Sequence, residues 1–269
     1  MESTVSSSFR LLDWDSIHFG IRIGRVLPIR VDEELLKEAL TWANLQSLDC
    51  MYLLVDSNDA ATVRLAGEFG WRMVDMRVTL GTELSTVAKT RVPMRTANAG
   101  DLPYLKQLAM RSHKDSRFYT DGNFRATACD ELFAIWIERS VLDRDFAGVV
   151  FVPELEGNKP AGYITCAIQQ GVGHIGLIAV DPKARRSGLG TGLLGQAARW
   201  FSEQGAKRVS AVTQGCNIPA LRMYERYGFT IDSIQLWFHW WSSGWSSPGK
   251  TIRTDTLPGI GVPAGLRNP

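Results

Sequence analysis

The sequence predicts an α/β fold on three observations. Apolar residues switch repeatedly between the two-residue alternation of strands and the three-to-four spacing of helices. A stretch rich in arginine and glycine, AVDPKARRSGLGTGLL at 179–194, joins one such strand to one such helix. Finally, segment 208–241 repeats the order of segment 51–84, strand, polar turn, helix, glycine before an aromatic residue, strand.

The elements follow in order. DEELLKEALTWANLQ (32–46) has helical apolar spacing and an acidic first turn, MYLLVDS (51–57) is a strand, and DAATVRLAGEF (59–69) is a helix stopped by Gly70. WRMVDMRVTLGTEL (71–84) alternates as a long strand, and STVAKT reads as a linker into the strand RVPMRTA. Asp101 is placed to cap the next helix, with Pro103 near its first turn. A helix over 128–142 follows, then the strands AGVVFVPE, PAGYITCAI and GHIGLIAV. Behind the glycine-rich stretch, Leu189, Leu193, Ala197 and Phe201 fall on one helical face. The strand RVSAVT (208–213), a helix from Pro219 to Tyr227 and the aromatic strand SIQLWFHWW complete the pattern. From Ser242 the chain is rich in Ser, Gly and Pro without a period, which predicts an irregular tail, packed on the body if at all through Trp245. The recurrence of 51–84 in 208–241 fits two related halves and fits chance recurrence equally well.

Composition narrows the function. An apolar content of 45% with 22% charge suits a soluble, ordered protein, and no run reaches the roughly 18–20 apolar residues of a membrane span. The start MESTVSSSFRLLDWD lacks the basic and apolar regions of a signal peptide, so a cytoplasmic protein is expected. Cys50, Cys129, Cys166 and Cys216 lie far apart and read as free thiols, with no metal site among them. A net charge of +2 without a Lys/Arg block argues against a nucleic-acid partner.

The glycine-rich stretch reads as an anion site. A Walker loop needs G-K-[S/T], which is absent. The dinucleotide fingerprint matches literally at Gly190, Gly192 and Gly195, but about ten residues separate the strand from Gly190 and the following strand ends without an acid. What remains is strand, V-D-P, then R-x-x-G-x-G at Arg185, Gly188 and Gly190, opening a helix. Glycines let backbone N–H groups converge on an oxyanion, and the helix start and the arginines add positive potential. This arrangement resembles the acyl-CoA pyrophosphate loop of GNAT-type N-acetyltransferases. The resemblance implies that Arg185, Arg186, Ser187, Gly188, Leu189, Gly190, Thr191 and Gly192 hold the pyrophosphate of acetyl-CoA. It also implies that GLIAV (176–180), through Ile178 and Val180, runs beside the pantetheine arm and splays from its neighbour.

QGCNIPALRMYERYGF carries the second part of the likeness. It implies that Asn217, with Ala220, meets the pantetheine arm and that Tyr224, seven residues after Asn217, protonates the departing thiolate. A phenol with a reference pKa of about 10 holds its proton at neutral pH and can donate it. The matching position of the first half is Ala66, so that half is expected to be non-catalytic. The expected architecture is therefore a GNAT acyltransferase fold, a mixed, splayed central sheet flanked by helices, over 89–241. An incomplete GNAT-like half over 1–88 precedes it, and a tail over 242–269 follows.

The acceptor is less legible. Some family members carry a Glu base on the strand before the loop, but HIGLIAV has none; His174 is the candidate, beside a water chain to bulk. Together with LDWDSIHFGI (12–21), the second half resembles family members that acetylate the 4-amino group of a nucleotide-linked deoxysugar. That implies a nucleotide-sugar acceptor, with SRFYTDGNF (116–124) over it as a loop between two helices and Arg117, Tyr119 and Asp121 holding phosphate, base or sugar hydroxyls. A plain surface loop is the equal alternative, and LWFHWW floors the cleft or belongs to the core. Rival functions are the same chemistry on another small amine or a peptide N-terminus, and a non-catalytic acyl-CoA-binding regulator. A homodimer is compatible with all of them.

Overall fold

A computed structural model describes residues 8–84, 92–154 and 159–244. The expected linker at 85–90 and the tail from 245, with Trp245, lie outside the described residues. The chain divides into two compact units that interleave along the sequence. The first holds Met1–Arg77, Ser116–Ala128 and Ile234–Pro269; the second holds Val78–Asp115 and Cys129–Ser233. A single cut at 88/89 divides the chain differently, because the units exchange segments rather than follow each other.

The first unit opens with β1 (Phe9–Leu11), α1 (Asp13–Phe19) and β2 (Ile23–Val26), a stretch the apolar pattern left unassigned. Seven residues are too few for α1 to show a helical repeat, and Gly20 ends it in the left-handed region at φ +68°. α2 (Glu33–Leu45) starts where Asp32 accepts a hydrogen bond from Leu35 N at 2.8 Å. β3 (Cys50–Asp56) leads to α3 (Ala60–Glu68), capped in the same way by Asp59. Next comes β4 (Arg72–Glu83), which passes into the second unit after Arg77. The strand pairs are β1–β2 antiparallel and β2–β3 parallel, with β3 antiparallel to the last strand, β10 (Thr230–Trp241). Residues alternate between faces along a strand, and here each face has its own use. Val26, Met51, Leu53, Val55, Leu236 and Phe238 join Leu36, Ala39 and Ala66 of α2 and α3 in one core. The opposite face carries Arg25, Tyr52, Trp237 and His239. Segment 116–124 contributes α5 (Arg117–Asp121), a single helical turn where a loop was expected, closed by Gly122 at φ +78°.

The second unit contains β5 (Met94–Thr96), α4 (Leu102–Ser112), most of α6 (Ala126–Leu142), β6 (Val149–Pro153), β7 (Gly162–Gln169), β8 (Val172–Val180), α7 (Leu189–Glu203), β9 (Arg208–Gln214) and α8 (Ile218–Arg226). Its strands lie in the order β4-β9-β8-β7-β6-β5, with β8–β9 parallel and β5–β6, β6–β7 and β7–β8 antiparallel. α7 buries the predicted face: Leu193, Ala197 and Phe201 join Ile164, Cys166, Ile175 and Val209 in one core, and Leu189 is buried at the helix start. Fully burying one such Leu or Phe side chain contributes about 1.5–3 kcal/mol, so this face fixes the helix over the sheet. Asp101 takes the expected N-cap position of α4, but its side chain bonds no N–H of that helix and instead closes a capping box on the preceding turn. Its carboxylate takes Arg95 at 2.7 and 2.8 Å and the Asn98 N–H at 2.9 Å, while Asn98 starts the 3-10 turn that leads into α4. One carboxylate thus serves both the Arg95 ion pair and the capping box.

Candidate active site

The site in the second unit is built where β8 and β9 part. Their parallel register runs from Val172 opposite Arg208 to Ile175 opposite Ala211 and stops there. β8 continues to Val180 against β7, so Gly176–Val180 has no ladder partner on its β9 side. A bulge at the same place sets two residues of β8, Gly176 and Leu177, against the single Thr165 of β7. The Thr165 hydroxyl accepts the Leu177 N–H at 2.8 Å. A Cβ at position 176 would lie 2.7 Å from that oxygen, which is why the position takes glycine. Ile178 and Val180 thus flank an open strand edge able to pair with the amides of an extended ligand.

Past Val180 the chain makes the turn rich in arginine and glycine. Asp181 accepts the Lys183 N–H at 2.9 Å, a 3-10 turn spans Pro182–Ala184, and Ser187 Oγ donates to Ala184 O at 2.6 Å. Arg186 and Gly188 both take positive φ, +64° and +86°, which turns the chain into α7. The first helical bond runs from Gly192 N to Gly188 O, so the N–H groups of Leu189, Gly190 and Thr191 stand at the open helix end. Lys183, Arg185, Arg186 and Thr191 are exposed around it. A Cβ on Gly188 would meet nothing within 4 Å, whereas one on Gly190 would lie 2.8 Å from Met223 Sδ. Gly188 leaves room for a ligand, and Gly190 brings the helix start against α8.

α8 begins at Asn217, whose Oδ1 accepts the Ala220 N–H at 3.2 Å. Its carbonyl oxygen is used as the helix cap, and its NH2 group stays free to donate to an arm in the cleft. One turn beyond Ala220, Tyr224 is 2% exposed and packs on Phe229 at 5.1 Å between ring centroids. No hydrogen bond engages its hydroxyl among the described residues. Burial pushes the phenol well above its usual pKa, and the neighbouring Cys166 adds to that. It therefore stays protonated throughout the neutral range.

These features match known proteins. The Acetyltransferase (GNAT) family profile matches residues 108–229. Residues 108–229 are a GNAT acetyltransferase domain. The dTDP-fucosamine acetyltransferase of Escherichia coli is 23% identical over 237 residues, covering 87% of this chain and 99% of that protein. The spore coat polysaccharide biosynthesis protein SpsD of Bacillus subtilis is 29% identical over 154 residues; these cover 57% of this chain but only 50%, half the length, of that relative. Among solved structures, a GCN5-related N-acetyltransferase from Sphaerobacter thermophilus superposes with a TM-score of 0.61 at 14% identity, over 87% of this chain and 76% of that one. The fold is that of the GNAT family, a mixed sheet that does not close, flanked by helices. A domain of this family transfers acetyl groups from acetyl-CoA to amines. The open helix end, its arginines and the unpaired strand edge fit a pyrophosphate with an amide-bearing arm attached.

Around the GNAT domain's splayed strands the acceptor residues are distributed unevenly. His174 lies one residue before the last β8–β9 pair, opposite Ser210 and Ala167. Its neighbour Ile175 joins the core that holds Tyr224, so His174 belongs to the other face of the strand. It is half-buried, and burial lowers its pKa below the usual 6.5, leaving a neutral imidazole at pH 7. Sequence reading missed one buried pair of the second unit, because its members lie 50 residues apart without a motif: His113 at the end of α4 pairs through Nε2 with the Tyr163 hydroxyl at 2.8 Å. Burial brings His113 down to about 4. Arg117, Tyr119 and Asp121 belong to the first unit. Asp121 is fully enclosed there, accepting from Trp241 Nε1 at 3.1 Å and held by His239 Nδ1, so its carboxylate faces protein rather than solvent. LWFHWW is accordingly core: Leu236–His239 and Trp241 are buried. Among the described residues no group of three or more His, Cys, Asp or Glu is placed to hold a metal ion, and no helix is long and apolar enough to cross a membrane.

Proposed function

We propose that the chain moves the acetyl group of acetyl-CoA to the primary amine of a nucleotide-linked amino deoxysugar by direct attack, without an acetylated enzyme. The observation that carries the chemistry is the unengaged Tyr224 hydroxyl beside a strand edge that parts from its neighbour. Arg185, Arg186 and the N–H groups from Ser187 to Gly192 hold the pyrophosphate, and Ile178, Val180, Asn217 and Ala220 line the arm. The amine nitrogen attacks the thioester carbonyl, the carbon–sulfur bond breaks, and Tyr224 gives its proton to the sulfur. His174 accepts the amine proton directly or through water; a neutral imidazole is the competent form. The tyrosinate recovers a proton from solvent and His174 releases the amine proton to solvent, which closes the cycle.

The acceptor class is supported by the named substrate of the Escherichia coli relative, whose whole length this chain matches at 23% identity. Arg117 and Tyr119 are the proposed acceptor contacts, with Asp121 positioning His239 and Trp241 behind them. This reading places the chain in the cytoplasm, acting as a single enzyme or a homodimer. The deciding experiment is CoA release from acetyl-CoA with TDP- and UDP-linked 3-amino and 4-amino deoxysugars, set against simple amines and peptides. Turnover confined to nucleotide sugars supports the reading, and turnover only on peptides or simple amines replaces it.

A further inference from the structure

One buried hydroxyl of the second unit stands unbonded, and it lies where β9 parts from β8. Tyrosines aside, four hydroxyl or carboxyl side chains of this unit are buried: Asp101, Ser140, Thr165 and Thr213. Three of them are engaged. Asp101 holds Arg95, Ser140 Oγ donates to Trp136 O at 2.8 Å, and Thr165 Oγ1 accepts from Leu177 N at 2.8 Å. Among the described residues nothing bonds the Thr213 hydroxyl, although the residue is only 5% exposed. A buried hydroxyl in this state works against folding and calls for a ligand that completes it.

The place of Thr213 follows from register. β9 carries Val209 and Ala211 in the core that holds Tyr224, and its residues alternate between buried and partly buried through Gln214. Thr213 therefore shares the Tyr224 face of the strand, whereas Ser210, opposite His174, belongs to the other. Ala211 is the last residue of β9 paired with β8, opposite Ile175. Two residues on, Thr213 stands level with the bulge at Gly176 and Leu177, where β8 begins its open edge.

We propose that Thr213 is a further catalytic residue of the acetyl transfer: its Oγ1 donates a hydrogen bond to the carbonyl oxygen of the thioester and holds the negative charge that gathers there. This rests on the reading of Tyr224 as the acid of the site. An acyl-CoA in the parting brings three kinds of polar atom. The amides of its arm have the free N–H and C=O groups of the β8 edge, and the sulfur, a weak acceptor, takes its proton from Tyr224. The carbonyl oxygen remains, and it becomes anionic as the amine nitrogen adds to the carbonyl carbon. Thr213 keeps its own proton throughout. Its hydrogen bond strengthens as charge builds and weakens when the carbonyl forms again and the sulfur leaves. A donor that no protein group has claimed breaks no bond when that charge appears. Valine has the same shape without the oxygen and would suit a buried position better, so a threonine here is explained by the reaction and not by the fold.

The test compares the full wild-type chain with Thr213→Val and Thr213→Ser in three measurements. In thermal melts without ligand, Thr213→Val should melt at or above the wild-type temperature, because no protein group loses a bond. In titration calorimetry CoA, which lacks the carbonyl, should bind all three alike. Acetyl-CoA should bind Thr213→Val about twofold to tenfold more weakly, the loss of one hydrogen bond to a neutral acceptor. In CoA-release kinetics on an amine the wild-type chain accepts, Thr213→Val should lower kcat by about 10²–10³-fold, the effect of losing one oxyanion donor. Thr213→Ser keeps a hydroxyl and should recover most of both losses. A lower melting temperature for Thr213→Val makes the hydroxyl structural and overturns the proposal. So do CoA and acetyl-CoA affinities that fall together, which put the hydroxyl on the arm, and an acetyl-CoA affinity and kcat that stay at wild-type values. Failure of the Tyr224 reading looks different: Tyr224→Phe then keeps its kcat, while the acetyl-CoA affinity of Thr213→Val still falls. Should no amine be accepted, the difference between acetyl-CoA and CoA affinities decides alone.

Discussion

Replacing Tyr224 by Phe removes one oxygen and leaves the packing in place. The ring keeps its stack on Phe229, and no protein group loses a hydrogen-bond partner, because none engages the hydroxyl among the described residues. The stability cost should therefore stay below about 1.5 kcal/mol, the range of a near-isosteric core change. The rate should respond differently. General-acid catalysis contributes about 10²–10⁴-fold, so kcat on the accepted amine should fall by that order while the KM for acetyl-CoA stays within about twofold. The assay is steady-state CoA release together with a thermal melt of both proteins. Burial holds the phenol above its usual pKa. The wild-type enzyme should consequently show no loss of kcat from Tyr224 ionisation up to at least about pH 10, the reference value for tyrosine. Parallel losses in kcat and affinity would make Tyr224 a binding residue, and an unchanged kcat would remove it from the chemistry.

Gly190→Trp should abolish acetyl-CoA binding in titration calorimetry, since its side chain must occupy the helix start and already meets Met223 Sδ at the Cβ; retained affinity would move the pyrophosphate elsewhere. Thr165→Val leaves the Leu177 N–H without its acceptor and should destabilise the chain by about 1–3 kcal/mol in denaturant titration, with a raised KM for acetyl-CoA as the bulge relaxes. Burial holds His113 and His239 at about 4, below their unfolded value of 6.5. The unfolded chain therefore binds more protons between those values. The stability these groups give is present above pH 6.5 and is lost as pH falls toward 4. The slope is at most about 1.4 kcal/mol per pH unit for each histidine. His113→Gln should flatten that acid slope, read from unfolding free energies at pH 4 to 7.

Much of the site was legible in the chain because its parts are local. The glycine and arginine spacing of 185–190 and the Asn217–Tyr224 interval each lie within one turn-plus-helix unit, where backbone conformation follows from the residues themselves. The same holds for α2 and α3, whose Asp32 and Asp59 caps mark their starts, and for the buried face of α7. Short elements escaped: α1 and α5 span 7 and 5 residues, less than two turns, so no apolar period forms in them. The cap position of Asp101 was legible, but the cap rule sees neighbours only, and Arg95 reaches its carboxylate from the preceding strand.

By itself, then, the sequence determined the α/β order of elements, the turn rich in arginine and glycine that opens α7, and the placing of Tyr224 on the helix after Asn217, all of which depend on residues a few positions apart. Tertiary structure alone decided where β8 leaves β9, which residues stand behind one another across strands, and where charge collects. The end of the β8–β9 ladder at Ile175, the enclosure of Asp121 by His239 and Trp241, and the gathering of Arg10, Arg25, Arg77 and Arg117 on one sheet face join segments up to about two hundred residues apart. Hydrogen-bond register and burial set those meetings, and neither is a property of any local stretch of the chain.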